Sequence, residues 1–255
     1  MSMGIAIMKA SFKRDRQYTL NHLINNVGSF FFGYIYAAIW MAASKSPAEA
    51  DQMVEFVILN QASMWITLFL PYGCYLAMKV KEGTIRYEYL RPYGLLTGSF
   101  FEVAGHTLYN LFFRSIPLFL GGVLLFGVRI QRPDMLLPYL VAIFNAFLLS
   151  FLINYLMGLW CFKYIKMSGP QLFYYFCTSI LGGYYIPFER YPEWMLPILK
   201  NLPFAAVGHL PTRVWFGQSS LLEVSLVQWS WIIVIFIIAW TLTKRLSGSF
   251  GVQGG

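Results

Sequence analysis

The chain alternates long, nearly uncharged apolar runs with short charged connectors, and this alternation leaves very few architectures open to it. A helix needs about 20 apolar residues to cross hydrocarbon, and inside a bilayer each backbone polar group must find its partner within the segment or in a closed barrel. Runs of helical length are placed at Asn26–Ala43, Val54–Met78, Phe101–Gly127, Leu136–Cys161, Gln171–Ile186 and Val227–Thr243, with Pro71 and Gly73 as kink positions in the second. Only 12% of the residues are charged and 58% are hydrophobic, against about 25% charged in ordinary soluble domains. Six spans and their turns fill 255 residues, so residues 1–255 are expected to form one all-α integral membrane unit without a soluble catalytic domain.

The connectors refine this picture. Residues 1–25 place Ile5, Met8, Phe12 and Leu20 at helical spacing among Lys9, Lys13, Arg14 and Arg16. That pattern predicts a cytoplasmic interface helix, apolar side down and cations toward the headgroups. Ser44–Asp51 reads as a short polar turn. Five of the twelve prolines fall between Pro187 and Gly217, cutting the chain into pieces too short to cross. These pieces predict short re-entrant or outer-face helices at 187–217, with Trp194, Trp215, Phe188 and Tyr191 in an aromatic belt. Residues 248–255 read as a flexible tail.

Twelve of the nineteen cations fall on the side that holds both termini and the second connector, six fall on the other, and Arg114 lies within a span. The positive-inside rule therefore puts both termini in the cytoplasm. The formal charge of +8 is spread over these connectors and does not form the basic face of a nucleic-acid binder. Cys74, Cys161 and Cys177 lie in apolar surroundings without metal-type spacing.

Two polar features stand out. Lys79–Gly94 carries four cations and two carboxylates, and Ile85, Tyr89 and Leu90 can form an apolar face on a short helix. A passage so charged must sit in water, as a solvated connector or as a docking helix for a soluble partner. Glu102, His106, Asn110 and Arg114 recur every fourth residue in the third run. Each step drifts about 40° around a helix, so they make one stripe. The stripe is the wall or gate of a translocation path, or a brace satisfied by its own members and a neighbour such as Asn145 or Asn154.

Glu102 and His106 alone are too few to hold a metal, and no HExxH or GxSxG pattern occurs. No GxxxxGK[ST] sequence occurs either. An ATP engine, if one is used, must lie on another polypeptide.

The order of parts resembles the membrane subunit of ABC-2 type exporters. Glu82-Gly83-Thr84-Ile85-Arg86-Tyr87-Glu88-Tyr89-Leu90-Arg91-Pro92 is similar to that family's cytoplasmic segment. Gly182-Gly183-Tyr184-Tyr185-Ile186-Pro187, Tyr191-Pro192-Glu193-Trp194 and Leu202-Pro203-Phe204 are similar to its pattern around the fifth span and outer helices. The resemblance implies a six-span exporter fold, of the small bacterial type, in the cytoplasmic (inner) membrane. It implies Glu82, Gly83, Arg86, Tyr87, Glu88, Leu90, Arg91 and Pro92 as the ATPase-coupling residues, two copies of a cytoplasmic ATPase carrying ATP and Mg, and a second permease, identical or dissimilar. No cofactor is expected on this chain. The expected substrate is an amphiphile such as a drug, natural product or lipid, with a polysaccharide or a peptide as alternatives. A membrane scaffold or sensor without transport is the contrasting class.

Overall fold

The computed structural model describes residues 3–17, 19–127, 130, 132–164 and 168–250. Among these residues the regular structure is helical throughout: α1 (Met3–Arg16), α2 (Thr19–Ala43), α3 (Pro47–Thr67), α4 (Leu76–Lys81), α5 (Ile85–Tyr89), α6 (Leu95–Asn110), α7 (Ile116–Phe126), α8 (Leu136–Trp160), α9 (Ser168–Ser179), α10 (Leu196–Lys200), α11 (Pro203–Val207), α12 (His209–Trp215) and α13 (Leu221–Phe250).

Four helical stretches among the described residues are long and apolar enough to cross a membrane: His22–Ala43, Leu95–Phe126, Pro133–Trp160 and Leu221–Leu246. The chain is a multi-pass membrane protein. Two of the six expected spans do not meet this measure. Helix α3 is long enough but carries Glu49, Asp51, Glu55 and Asn60. Helix α9 has only 12 residues, about 18 Å against the roughly 30 Å of hydrocarbon.

Helix starts depart from the expected boundaries for a common reason. Ser46 caps α3 by accepting the Glu49 N–H at 3.3 Å, and Glu49 Oε2 accepts the Lys45 N–H at 2.7 Å. The expected polar turn Ser44–Asp51 is therefore largely the first turn of α3. At Ser220 the box is complete, with the hydroxyl accepting from Glu223 N at 3.2 Å and the Glu223 carboxylate accepting from Ser220 N at 3.0 Å. Helix α13 starts there and runs to Phe250, so Gly248–Phe250 continue a helix where a tail was expected. Residues 251–255 of that tail, and Lys166 and Arg129 of the cation count, lie outside the described residues.

Helix α8 organises the interior. Its buried side meets α13, α12, α11 and the turn Tyr72–Tyr75. At Gly158 an added Cβ would lie 2.2 Å from the Gly73 carbonyl, so only glycine permits the approach. The turn itself holds Gly73, Cys74 and Tyr75 at φ of 51°, 53° and 63°, a left-handed run that costs energy at the two residues bearing a Cβ. It separates α4 from α3 where one kinked span was expected. Gln228 of α13 is wholly buried and donates to the carbonyls of Ala142 at 2.9 Å and Ala206 at 3.0 Å, tying α13 to α8 and α11.

The third span is also interrupted. Pro117 has no N–H, so the Phe113 carbonyl loses its helical donor, and residues 111–115 form a π-turn between α6 and α7. Asn26 of α2 replaces the missing donor, its Nδ2 reaching Phe113 O at 2.8 Å.

Short helices do occupy much of 187–217, but they are not an exposed aromatic rim. Trp215 and Phe188 are buried, and Trp194 alone of the four expected belt residues is exposed. Trp215 turns inward because its Nε1–H donates to Glu55 on α3 at 2.9 Å. A buried carboxylate requires such a donor.

Candidate functional site

Helix α1 sets one wall of the site. Its buried residues are Ser11 and Asp15, while Ile5 is exposed, so a polar edge of the helix faces the protein and apolar Ile5 faces away from it. The cause is Gly105 of α6, where an added Cβ would meet the Met8 carbonyl at 2.2 Å and Ser11 Cβ at 2.8 Å. Small residues let the two backbones meet. Their polar partners then come within reach.

From this contact a chain of ion pairs runs back to the charged stretch. Arg14 reaches Glu102 at 2.8 Å, and Lys79 reaches the other oxygen of Glu102 at 2.6 Å. Lys79 also pairs with Glu88 at 3.0 Å, and Glu88 pairs with Arg91 at 3.3 Å. On the other side Asp15 pairs with Arg14 at 3.6 Å and with His106 Nδ1 at 2.7 Å. Three carboxylates thus face Arg14, Lys79 and Arg91, three cations, in a closed charge balance. The guanidinium of Arg14 also stands over the Tyr75 ring at 4.4 Å, which ties in the left-handed turn.

The residues expected to couple to an ATPase, and Ile85 among them in the chain, divide accordingly. Ile85 and Glu88 are buried, and Glu88 faces inward onto Lys79. Glu82, Gly83, Arg86, Tyr87, Leu90, Arg91 and Pro92 are exposed. Leu90 is 80% exposed, so it does not join the expected apolar face with Ile85 and Tyr89. Burial pushes the Tyr89 hydroxyl up to about 12.

The stripe on the third span also divides. Glu102 belongs to the ion-pair chain. Asn110 spends both amide hydrogens, on Trp65 O at 3.2 Å and His106 Nε2 at 3.0 Å. With Nε2 accepting, His106 carries its proton on Nδ1 and donates to Asp15. Arg114 lies in the π-turn, donates to His22 Nδ1 and covers the Trp65 ring at 3.9 Å. His22 donates its own Nε2–H to the Asp15 carbonyl at 3.0 Å, which fixes the accepting tautomer toward Arg114. Asn145 and Asn154 are not among the stripe's partners; they bond Ser225 and Ser150.

His106 and Arg114 line a cavity of about 1050 Å³ between the end of α3, α4 and the start of α9. Trp65, Phe69, Met78 and Tyr175 supply much of its wall. Its size falls at the upper end of ordinary small-molecule sites.

A family model described as ABC-2 family transporter protein matches residues 52–254. The chain belongs to this family. The match takes in the Lys79–Gly94 stretch, the third-span stripe and α9 through α13, so this ABC-2 chain is a membrane transport subunit and is not itself catalytic. No curated protein and no solved structure matches it. In this ABC-2 chain the site residues that sequence reasoning did not single out are Asp15, His22, Trp65 and Tyr75, while Arg14 and Lys79 were read only as cations of the interface helix and of the charged stretch. Each reaches the site through a contact between distant segments, and only the unusual density of charge at Arg14-Asp15-Arg16 gave a local sign.

Proposed function

We propose that the chain is the membrane permease of an ATP-driven exporter, worked by a separate cytoplasmic ATPase that docks on Glu82, Arg86, Tyr87, Leu90 and Arg91. The observation that carries this reading is the clamp at Lys79. One end of the stretch is held to α6 by Glu102 and to α5 by Glu88, while the outward residues remain available to a partner. A push on α5 is thus delivered to α6 and, through Arg14, to α1. Packed elements joined in this way move as units.

In this reading two ATPases supply ATP and Mg, the permease pairs with an identical or dissimilar second copy, and both termini face the cytoplasm of a bacterium. Helix α3, and α9 extended by the turn that follows it to Ile186, complete six crossings, with α10–α12 dipping from the outer side. The cavity beside Trp65 and Arg114 receives an amphiphilic cargo.

Reversing charge at Glu82, Arg86 and Arg91 together tests the assignment. The expected result is loss of a co-purifying P-loop ATPase and of ATP-dependent export, with the chain still folded in the membrane. Normal export by the triple variant would refute the docking assignment. Partner recovery without any nucleotide-dependent transport would favour a scaffold or sensor.

A further inference from the structure

We infer that the cavity beside Arg114 selects an amphiphile with an anionic head group, a conclusion that deepens the exporter reading by naming the class of cargo. Arg114 is 6% exposed, and its Nε has no hydrogen-bond partner among the described residues. Its contacts are the neutral His22 nitrogen and the Trp65 ring. No carboxylate lies within ion-pair distance of Arg114 or of Lys81, the exposed second cation of the cavity wall, among the described residues.

The carboxylates of the adjoining ion-pair chain are already engaged. Asp15 is held by His106 and Arg14, and Glu102 by Lys79 and Arg14. No aspartate or glutamate lines the cavity. A buried charge is costly when unpaired, and a planar guanidinium binds carboxylate or phosphate through two parallel hydrogen bonds. The aromatic and aliphatic wall then takes the apolar body of the same molecule. A cationic amphiphile would meet two like charges there.

Photolabelling of the full chain in zwitterionic phosphatidylcholine nanodiscs tests this, using a diazirine-bearing hexadecanoic acid and the hexadecylamine of the same chain. The acid is expected to label the segments Trp65–Met78 and Ser168–Tyr175 about tenfold more than the amine, the scale of one charge-assisted hydrogen bond. Arg114→Gln should remove the preference and Arg114→Lys should restore part of it. Lys81→Gln, at an exposed position that leaves the fold intact, should weaken it by itself. Displacement by hexadecyl phosphate points to a free anionic amphiphile, and displacement by phosphatidylglycerol to a bilayer lipid; both support the site. Equal labelling by acid and amine, or a preference unmoved in folded Lys81→Gln and Arg114→Gln chains, overturns it. A head-group preference without ATP-driven transport keeps the site and removes the exporter reading. Transport indifferent to head-group charge does the reverse.

Discussion

Replacing Lys79 with methionine removes one cation from between two carboxylates while keeping most of the side-chain volume. Lys79 is 14% exposed in its side chain, Glu88 8% and Glu102 13%. At separations of 3.0 and 2.6 Å and an effective dielectric near 20, the gross attraction is about 6 kcal/mol for each pair. Desolvation of three charged groups offsets most of that. Breaking one partner out of a buried pair usually costs about 3–5 kcal/mol because the other charge stays behind. Here Arg91 still faces Glu88 and Arg14 still faces Glu102, so the net loss should be smaller, roughly 2 kcal/mol. Adding Glu102→Gln should return part of it, since a neutral amide no longer needs the cation. Thermal unfolding of the four members of this cycle in detergent measures the coupling between Lys79 and Glu102. Proteolysis at Arg86 reports whether α5 has come loose from α6. If Lys79→Met melts with the wild type, and the double variant shows no coupling beyond about 0.5 kcal/mol, the clamp is not what holds α5.

Three further outcomes follow from the geometry. Gly105→Val should drive α1 from α6, because even a Cβ would lie 2.2 Å from the Met8 carbonyl; increased alkylation of a cysteine placed at Ser11 measures the displacement, and unchanged protection refutes the close packing. Asn26→Leu should destabilise by about 1–3 kcal/mol through an orphaned Phe113 carbonyl, and adding Pro117→Ala, which supplies an N–H from within the helix, should recover much of that in thermal unfolding. Burial, reinforced by Arg213 and Lys200, holds His209 down at about 3 from its ordinary 6.5. The unfolded chain therefore takes up a proton that the folded chain refuses, and stability falls as pH drops through 6.5 toward 3. His209→Gln should flatten that fall; melting temperatures at pH 5 and pH 7.5 decide it, and an equal fall in both chains refutes the assignment.

The parts of this fold that depend on neighbouring residues were open to reading from the sequence. Apolar runs marked the long helices, the prolines after Pro187 marked the short ones, and the charge of Lys79–Gly94 marked a largely exposed stretch. The boxes Ser46-Pro47-Ala48-Glu49 and Ser220-Leu221-Leu222-Glu223 also fixed two helix starts, yet hydropathy placed those starts several residues late because the first turns are polar. Contacts between distant segments were not open in this way. Lys79 and Glu102 meet across 23 residues, and Arg14 and Glu102 across 88. Nothing local tells Lys79 from Lys81, though one is clamped by two carboxylates and the other lines a cavity. Fourfold spacing correctly grouped Glu102, His106 and Asn110 with Arg114 along one span, but their destinations were set by α1, α2 and the π-turn.

That π-turn also bears on which length changes the span can absorb. A turn bonded i→i+5 holds one residue more than the α-helix on either side needs. Removing a residue there, such as the exposed Phe112, should let the segment tighten toward α-helical spacing, with the one bond that Pro117 cannot make still missing, while α6 keeps Gly105 against α1 and α7 keeps Gly121 and Gly122 against Phe30 and Ile58. Removing a residue anywhere within α6 or α7 instead rotates one of those faces by about 100° relative to the other. Leu111–Ser115 is thus the slack in an otherwise rigid register, and the place where this span tolerates an altered residue count without turning its faces.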